Sequence, residues 1–143
     1  AAGVSWRLRL DQPCIVAVNV WPSGTRELDL HALMPDPVLR KRDGDPAYQI
    51  ASLADDEDFG IDLVVRGEDL LPSTACQLHL AGLLSLEGFL RARFLHHPLI
   101  TDASGNKLSK SEGAGSLKAM REAGRDAGEL HTIAARMMPH HGA

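Results

Sequence analysis

The chain has 143 residues, which is the length of one domain, and 44% of them are hydrophobic, an ordinary share for a globular protein. No apolar run approaches bilayer-spanning length, and no basic segment followed by an apolar one predicts a secretory signal. The net charge of −4 excludes a domain that holds nucleic acid by its overall charge, so any RNA contact must be local or belong to another part of a larger protein. Cys14 and Cys76 lack metal-binding spacing, which predicts reduced thiols in a cytoplasmic protein.

The first segments with a clear pattern are β-type. Residues 4–10 alternate polar and apolar, with Trp6 and Leu10 among the apolar residues on one face, as in a half-buried strand. Residues 15–21 form a second run, rich in β-branched residues, that ends at a Pro-Ser-Gly turn. We therefore expect these two segments to form a small hairpin-type insertion.

A short helix is predicted next, with Asp45 as its N-cap and Pro46 at its first helical position. Tyr48, Ser52 and Asp55 then fall near positions i, i+4 and i+7, so they share one face of the helix. A polar stripe of this kind is either a solvated helix face or one wall of a binding site.

Residues 61–65 predict a strand that is apolar on both faces except at Asp62, which is typical of a buried parallel strand. Arg66-Gly67-Glu68-Asp69 follows at the C-terminal end of this strand. Ligands of open α/β sheets bind at such strand ends. The cluster is therefore either a ligand site or a salt-bridged surface loop.

Three helices are predicted after this cluster. The first spans about residues 73–86, with Thr74 and Gln77 at capping-box spacing. A short helix lies around residues 117–120, and a strongly amphipathic one follows a second capping-box pair, Asp126 and Glu129.

Residues 94–100 predict a second parallel strand, broken at Pro98. Together with the preceding strand and helix, it makes residues 61–100 one right-handed crossover unit. His96 and His97 point to opposite faces of this strand, so they cannot chelate a metal together. One of the two histidines is predicted to pack in the core.

A loop between the strand and the last helices contains Lys107-Leu108-Ser109-Lys110-Ser111, with turn-forming residues on both sides. Two ammonium groups, two hydroxyls and several free backbone N–H groups suit a polyphosphate ligand. The alternative interpretation is a solvated Lys/Ser loop, and only the surrounding sequence can decide between the two.

The order of these elements resembles the second half of the catalytic domain of class I glutamyl- and glutaminyl-tRNA synthetases, with the nearest likeness to the glutamyl-Q tRNA(Asp) synthetase branch. The similar sequence extends from Asp36 to about Ser116 and contains the segments DPVLRKRDGDPAYQIASLADD, GIDLVVRGEDLLPSTACQLHLAGLL and FLHHPLITDASGNKLSKSEGAGSL. The resemblance implies an α/β fold: half of a Rossmann-like nucleotide-binding fold with parallel strands and crossover helices. It divides the chain into a remnant of a β insertion (1–35), the second catalytic half (36–115) and a C-terminal helical segment (116–143).

The resemblance also implies roles for individual residues. Lys107 and Lys110 match the KMSKS signature, so both are implied to be catalytic, stabilising the departing pyrophosphate more in the transition state than in the ground state. The ATP-binding residues that it implies are Leu99, Ile100, Lys107, Leu108, Ser109, Lys110 and Ser111. Tyr48 and Arg66 match positions that line the glutamate pocket, where an arginine can clamp a carboxylate with two donors. No protein-bound metal is implied, since Mg²⁺ would arrive with ATP.

By this resemblance, the complete enzyme activates glutamate with ATP to an aminoacyl-adenylate and transfers it to tRNA, with this chain supplying the KMSKS half. The sequence lacks the HIGH signature (His-x-Gly-His), the zinc-binding cysteines of the glutamyl-Q branch and any anticodon-binding domain. Cys76 stands where many relatives carry arginine. We therefore expect little or no aminoacylation by this chain alone, and association with itself or with a missing N-terminal half through an exposed strand edge.

Two other interpretations stay open. The chain is alternatively a truncated, non-catalytic paralogue that serves as a nucleotide-, RNA- or partner-binding module, since it lacks the HIGH half. It is, as a third interpretation, an unrelated α/β nucleotide-binding domain with a chance lysine loop. The sequence does not distinguish glutamate from glutamine as the substrate, nor does it identify the tRNA.

Overall fold

The computed structural model describes residues 3–99 and 116–137. The chain divides into two compact units, residues 1–99 and residues 100–143, and each is described by itself. In the described part of the first unit the strands are β1 (Trp6–Arg7), β2 (Ile15–Val20), β3 (Gly24–Asp29), β4 (Val38–Arg40), β5 (Leu63–Gly67) and β6 (Arg93–His97). The α-helices are α1 (Leu30–Leu33), α2 (Tyr48–Asp58), α3 (Leu71–Leu84) and α4 (Glu87–Leu90), and Glu68–Leu70 forms a 3₁₀ turn before α3.

A four-stranded mixed sheet with the order β3-β2-β6-β5 lies at the centre of the first unit. β2 and β3 pair antiparallel, whereas β2, β6 and β5 run parallel. The predicted parallel crossover is confirmed, because β5 and β6 are hydrogen-bonded neighbours joined through α3. β1 and β4 form a separate two-stranded antiparallel ribbon.

The core of this unit lies between α3 and one face of the sheet. Val18 of β2 and Phe94 of β6 are fully buried on that face, and Phe89 packs edge-to-face on Phe94 with ring centroids 5.6 Å apart. Burial of each such side chain contributes roughly 1.5–3 kcal/mol to folding. Ile15, which alternation places on the opposite face, is 55% exposed.

The hairpin predicted from residues 4–10 and 15–21 is wrong. Only Trp6–Arg7 is extended as a strand in the first segment; it pairs with β4, and Trp6 is 57% exposed. β2 takes its antiparallel partner from the next segment, β3, whose sequence is mostly polar and carries no strand-type alternation. The pairing is possible because β3 is an edge strand that buries little of its surface. The implied division into 1–35, 36–115 and 116–143 stays a prediction.

The predicted start of α2 is also wrong. α2 begins at Tyr48 with Ala47 as its N-cap, two residues after the predicted first helical residue. Pro46 instead forms an antiparallel bridge with Arg40, and Lys41 pairs with the Asp45 carboxylate at 3.4 Å. These contacts hold residues 45 and 46 in an extended conformation, and they override the local sequence preference for a helix.

The prediction for β5 needs a similar correction. It was expected to be buried on both faces, but it is an edge strand, and Val65 on the face away from α3 is 57% exposed. The apolar residues 61–65 belong to a strand that is covered on one face and open at one edge. Sequence periodicity alone does not distinguish such a strand from one that is buried on both faces.

The capping box predicted for α3 is wrong as well. α3 begins at Leu71, and Thr74 lies within its first turns, where its hydroxyl donates to the Leu70 carbonyl at 3.2 Å. Gln77 is fully buried inside the domain and plays no part in capping.

The described part of the second unit consists of α5 (Leu117–Glu122) and α6 (Ala127–Met137). The Ser116 hydroxyl caps α5 by accepting the Ala119 N–H at 3.1 Å. Asp126 accepts the Gly128 N–H at 3.1 Å, but Glu129 pairs with Arg125 at 2.6 Å, so only half of the predicted capping box forms. Within the described ranges, no helix is both long and apolar enough to cross a membrane.

Candidate active site

Arg66 lies at the C-terminal end of β5, on the face that α3 covers, and is only 8% exposed. Its Nη1 donates a hydrogen bond of 2.8 Å to Oε1 of Gln77, which is itself fully buried on α3. The guanidinium carbon lies over the ring of Phe94, 5.5 Å from its centroid. One end and one face of the guanidinium are therefore fixed by the fold.

The other donors of this pair are unpaired. Nε and Nη2 of Arg66 and Nε2 of Gln77 are buried, and none has a hydrogen-bond partner within the described parts of the chain. A buried donor left unpaired costs about 1–3 kcal/mol, and more when it is charged. Folded proteins contain few such groups, so three on one pair of contacting side chains make this pair a candidate binding site.

Two groups on α2 act electrostatically on Arg66. Burial lowers the pKa of the Arg66 guanidinium, whereas the Tyr48 phenol, by its charge and by a weak polar contact, and the Asp56 carboxylate raise it. The phenol oxygen lies outside hydrogen-bond geometry for Nε and Nη2. The guanidinium stays charged at neutral pH, as arginine does in proteins. Burial raises the pKa of Asp56, and the charge of Arg66 opposes this effect. The fold thus brings Tyr48, which is 51% exposed, next to Arg66.

His96 lies beside Arg66, since the two residues are cross-strand partners on β6 and β5. Its Nε2 is 2.7 Å from the Thr74 hydroxyl, and its ring stacks nearly parallel on Phe94. Burial lowers the pKa of His96, and the charge of Arg66 lowers it further. His96 is thus the histidine that packs towards the core, while His97 is exposed and hydrogen-bonds the Pro98 carbonyl.

The lowered pKa of His96 predicts a fall in stability on mild acidification. Below the ordinary histidine pKa of 6.5 the unfolded chain takes up a proton that the folded chain does not. The free energy of unfolding should therefore fall from about pH 7 to about pH 6, by at most about 1 kcal/mol because solvent screens the half-buried ring. Urea denaturation at both pH values checks this, and His96→Gln should flatten the dependence. If the free energy of unfolding of His96→Gln fell equally steeply between these pH values, groups other than His96 would be responsible.

Leu99 lies at the same end of the sheet. A Cβ placed on Gly67 would come within 3.4 Å of Leu99 Cδ2 and 2.5 Å of Asp69 Oδ1, so the glycine allows a close approach of these groups. Whether Leu99 contacts adenine stays a prediction. The other members of the predicted ATP site (Ile100, Lys107, Leu108, Ser109, Lys110 and Ser111) lie outside the described residues.

The two cysteines are structural. Cys76 is fully buried, which raises the pKa of its thiol to about 11. Cys14 is buried as well, with its Sγ 3.6 Å from Nδ1 of His79, and neither thiol forms a disulfide. Among the described residues, no three His, Cys, Asp or Glu side chains are arranged to hold a metal ion. The Cys76 thiol is therefore protonated and unreactive at neutral pH.

Gln77 is the site residue that sequence reasoning missed. It was predicted only as a capping partner of Thr74. The available signal was its position one helical turn from Ala81, a core residue of the same helix. A glutamine on the buried face of a helix needs a polar partner in the core, because burying its amide unpaired is costly.

These features define a mixed α/β domain with parallel strands, and its candidate site lies at the carboxyl end of β5, where ligands of such sheets bind. The family model described as "tRNA synthetases class I (E and Q), catalytic domain" matches residues 7–139. The chain belongs to this family, and the mixed α/β fold with parallel strands is consistent with a fragment of its catalytic domain.

Similar proteins include the glutamyl-Q tRNA(Asp) synthetase of Burkholderia cenocepacia, 42% identical over 117 residues, which are 80% of this chain and 38% of that protein. Glutamate–tRNA ligase 2 of Xanthobacter autotrophicus is 43% identical over 122 residues, 85% of this chain and 26% of the ligase. The crystal structure of glutamate-tRNA synthetase from Elizabethkingia anophelis superposes with a TM-score of 0.57 at 33% identity, covering 75% of this chain and 21% of that one. The chain thus spans well under half the length of these relatives.

Proposed function

We propose that this chain is the part of a glutamate-activating class I synthetase that carries the amino-acid pocket and the KMSKS-type loop. In the complete enzyme, a carboxylate oxygen of glutamate attacks the α-phosphorus of ATP, giving glutamyl-adenylate and pyrophosphate. The glutamyl group then passes to tRNA. The observation that carries this proposal is the buried Arg66 at the carboxyl end of β5, two of whose donors have no partner in the part of the chain that the structure describes.

The site favours an acidic amino acid over its amide. The unpaired donors of Arg66 can each bond one oxygen of the side-chain carboxylate of glutamate, while the positive charge remains in a buried setting. Glutamine would bring no charge, and its NH₂ group would face a donor. Tyr48 would border the same pocket, because it acts on the Arg66 guanidinium directly. The names of the relatives support the same substrate.

The nucleotide half of the reaction is assigned to the loop of residues 107–111, together with the backbone of Leu99 and Ile100. The Lys107 and Lys110 ammonium groups would hold the departing pyrophosphate oxygens, on which negative charge develops during the reaction. Mg²⁺ would arrive bound to the ATP phosphates and keep most of its waters.

The edge of β5 is the expected contact with the rest of the catalytic domain. Among the described strands β5 has a neighbour on one side only, so its other edge offers backbone groups for pairing. The exposed apolar side chains of Phe59, Ile61 and Val65 lie before and on this strand. In a complete enzyme, a strand from the HIGH-containing half would pair there. For the chain alone we propose self-association through this edge and little or no aminoacylation.

A chimera tests the proposed function. This chain replaces its 117-residue match in the Burkholderia cenocepacia glutamyl-Q tRNA(Asp) synthetase. ATP–pyrophosphate exchange is then measured with glutamate or glutamine, with and without tRNA. Exchange should depend on glutamate and exceed that with glutamine by about tenfold or more. A folded chimera without glutamate-dependent exchange would favour a non-catalytic binding module instead.

A further inference from the structure

The contact between Arg66 and Gln77 is more specific than core packing requires. Gln77 has no solvent exposure, and its side-chain carbonyl accepts a hydrogen bond of 2.8 Å from Nη1 of Arg66. Since arginine offers only donors, the atom facing Nη1 must be the oxygen of the amide. The amide orientation is therefore fixed by the guanidinium, and Nε2 must point elsewhere.

The choice of Nη1 decides which edge of Arg66 is left for a ligand. A planar guanidinium offers two-donor edges, and the one formed by Nε and Nη2 matches the two oxygens of a carboxylate. These are the two guanidinium nitrogens that have no hydrogen-bond partner among residues 3–99 and 116–137. Phe94 lies against the face of the same group, so rotation out of the plane is restricted as well.

All three unpaired atoms of the pair are donors: Nε and Nη2 of Arg66 and Nε2 of Gln77. A ligand that satisfies them must offer acceptors only, as an ionised carboxylate does, whereas a carboxamide brings donors of its own. A glutamate in place of Gln77 would also accept from Nη1, but its negative charge would neutralise Arg66 before the ligand arrives. The neutral amide anchors the cation without using up its charge.

We propose that Gln77 is a positioning residue that holds Arg66 by Nη1 and leaves the Nε–Nη2 edge aligned for the side-chain carboxylate of the amino-acid substrate. The inference rests on the proposed function and deepens it. It assigns the preference for an acid over an amide to the pair rather than to Arg66 alone.

The test uses the 143-residue chain and the ¹⁵N NMR signal of the Arg66 Nε–H, which is identified by its loss in Arg66→Lys. Two readouts are taken: the rate of Nε–H exchange with water, and the shift of the signal on adding glutamate or glutamine up to about 10 mM, a range that detects weak binding. In the unmodified chain, exchange should be slow, and glutamate should shift the signal at least about tenfold more effectively than glutamine.

Three variants separate positioning from packing. Gln77→Met keeps the volume but removes the acceptor, so exchange should accelerate and the glutamate response weaken, each by about tenfold. Gln77→Glu keeps the acceptor, so exchange should stay slow while the affinity for glutamate falls by about tenfold or more. Gln49→Met is the matched control: it removes another buried glutamine, bonded to Ser73 at 3.1 Å, and should leave both readouts unchanged.

The outcomes that overturn the inference are specific. Gln77→Met with the exchange rate and glutamate response of the unmodified chain would show that Gln77 does not hold Arg66. A signal that glutamate leaves unmoved in the unmodified chain would show that the free edge is not a carboxylate site. Failure of the ATP-dependent reaction appears separately, in the exchange assay of the chimera.

Discussion

Replacing Arg66 with leucine in the chimeric synthetase is expected to lower kcat/KM for glutamate by about 10²–10⁴-fold. The substitution removes a buried cation that pairs with the substrate carboxylate, and breaking such a pair costs about 3–5 kcal/mol. Arg66→Lys should retain only part of the activity, because an ammonium group cannot present two donors in one plane. Steady-state exchange kinetics at varied glutamate concentration provide the measurement.

Stability should respond differently from activity in this variant. Arg66→Leu removes a buried charge, which favours the folded state, but it also leaves the buried carbonyl of Gln77 without its donor, which costs about 1–3 kcal/mol. Because these two effects oppose each other, the melting temperature of the chain should change only modestly. Arg91→Leu is the matched control, since its side chain is 74% exposed and pairs only loosely with Glu87 at 3.8 Å. Unchanged kcat/KM in a folded Arg66→Leu chimera would remove Arg66 from the amino-acid site.

Lys110→Ala is expected to reduce the exchange rate of the chimera by about 10²–10³-fold, the usual effect of deleting one donor that stabilises transition-state charge. The loss should appear mainly in kcat, with the KM for glutamate little changed, because the ammonium group acts on the departing pyrophosphate. Lys107→Ala should have a smaller effect in the same assay.

Lys118→Ala is the control for the loop variants. Lys118 is 77% exposed on α5 and forms a long ion pair with Glu122 at 3.9 Å, so its removal should leave exchange within about twofold. If Lys110→Ala retained full exchange activity, the loop of residues 107–111 would be interpreted instead as a solvated Lys/Ser segment without a catalytic role.

The part of the fold that local sequence patterns specify was predicted well. The parallel pair of β5 and β6 with α3 between them follows from apolar runs of strand and helix length. β3 was missed, because its polar sequence is extended only by pairing with β2. The start of α2 was misplaced for a similar reason: the contacts of Asp45 with Lys41 and of Pro46 with Arg40 of β4 override the local helix signal.

Some features of the candidate site were predictable from the sequence, and others depend on tertiary packing. The position of Arg66 at a strand end could be read from the sequence, as could the match of Tyr48 to the pocket of the resembled family. The burial of Arg66 and its bond to Gln77 could not, since they depend on how α3 packs over the sheet. The predicted roles of Lys107 and Lys110 stay predictions, because both lie outside the described residues.

The contact between Thr74 and His96 has a consequence for proton placement. The Thr74 hydroxyl has one hydrogen, and its bond to the Leu70 carbonyl uses it. Its oxygen must then accept from His96, so the neutral imidazole carries its hydrogen on Nε2 and a lone pair on Nδ1. Acid would add the second proton at Nδ1 and leave the threonine bond intact. The destabilisation expected on acidification then comes first from charging a half-buried imidazole and second from its repulsion by Arg66, and added salt should reduce only the second part.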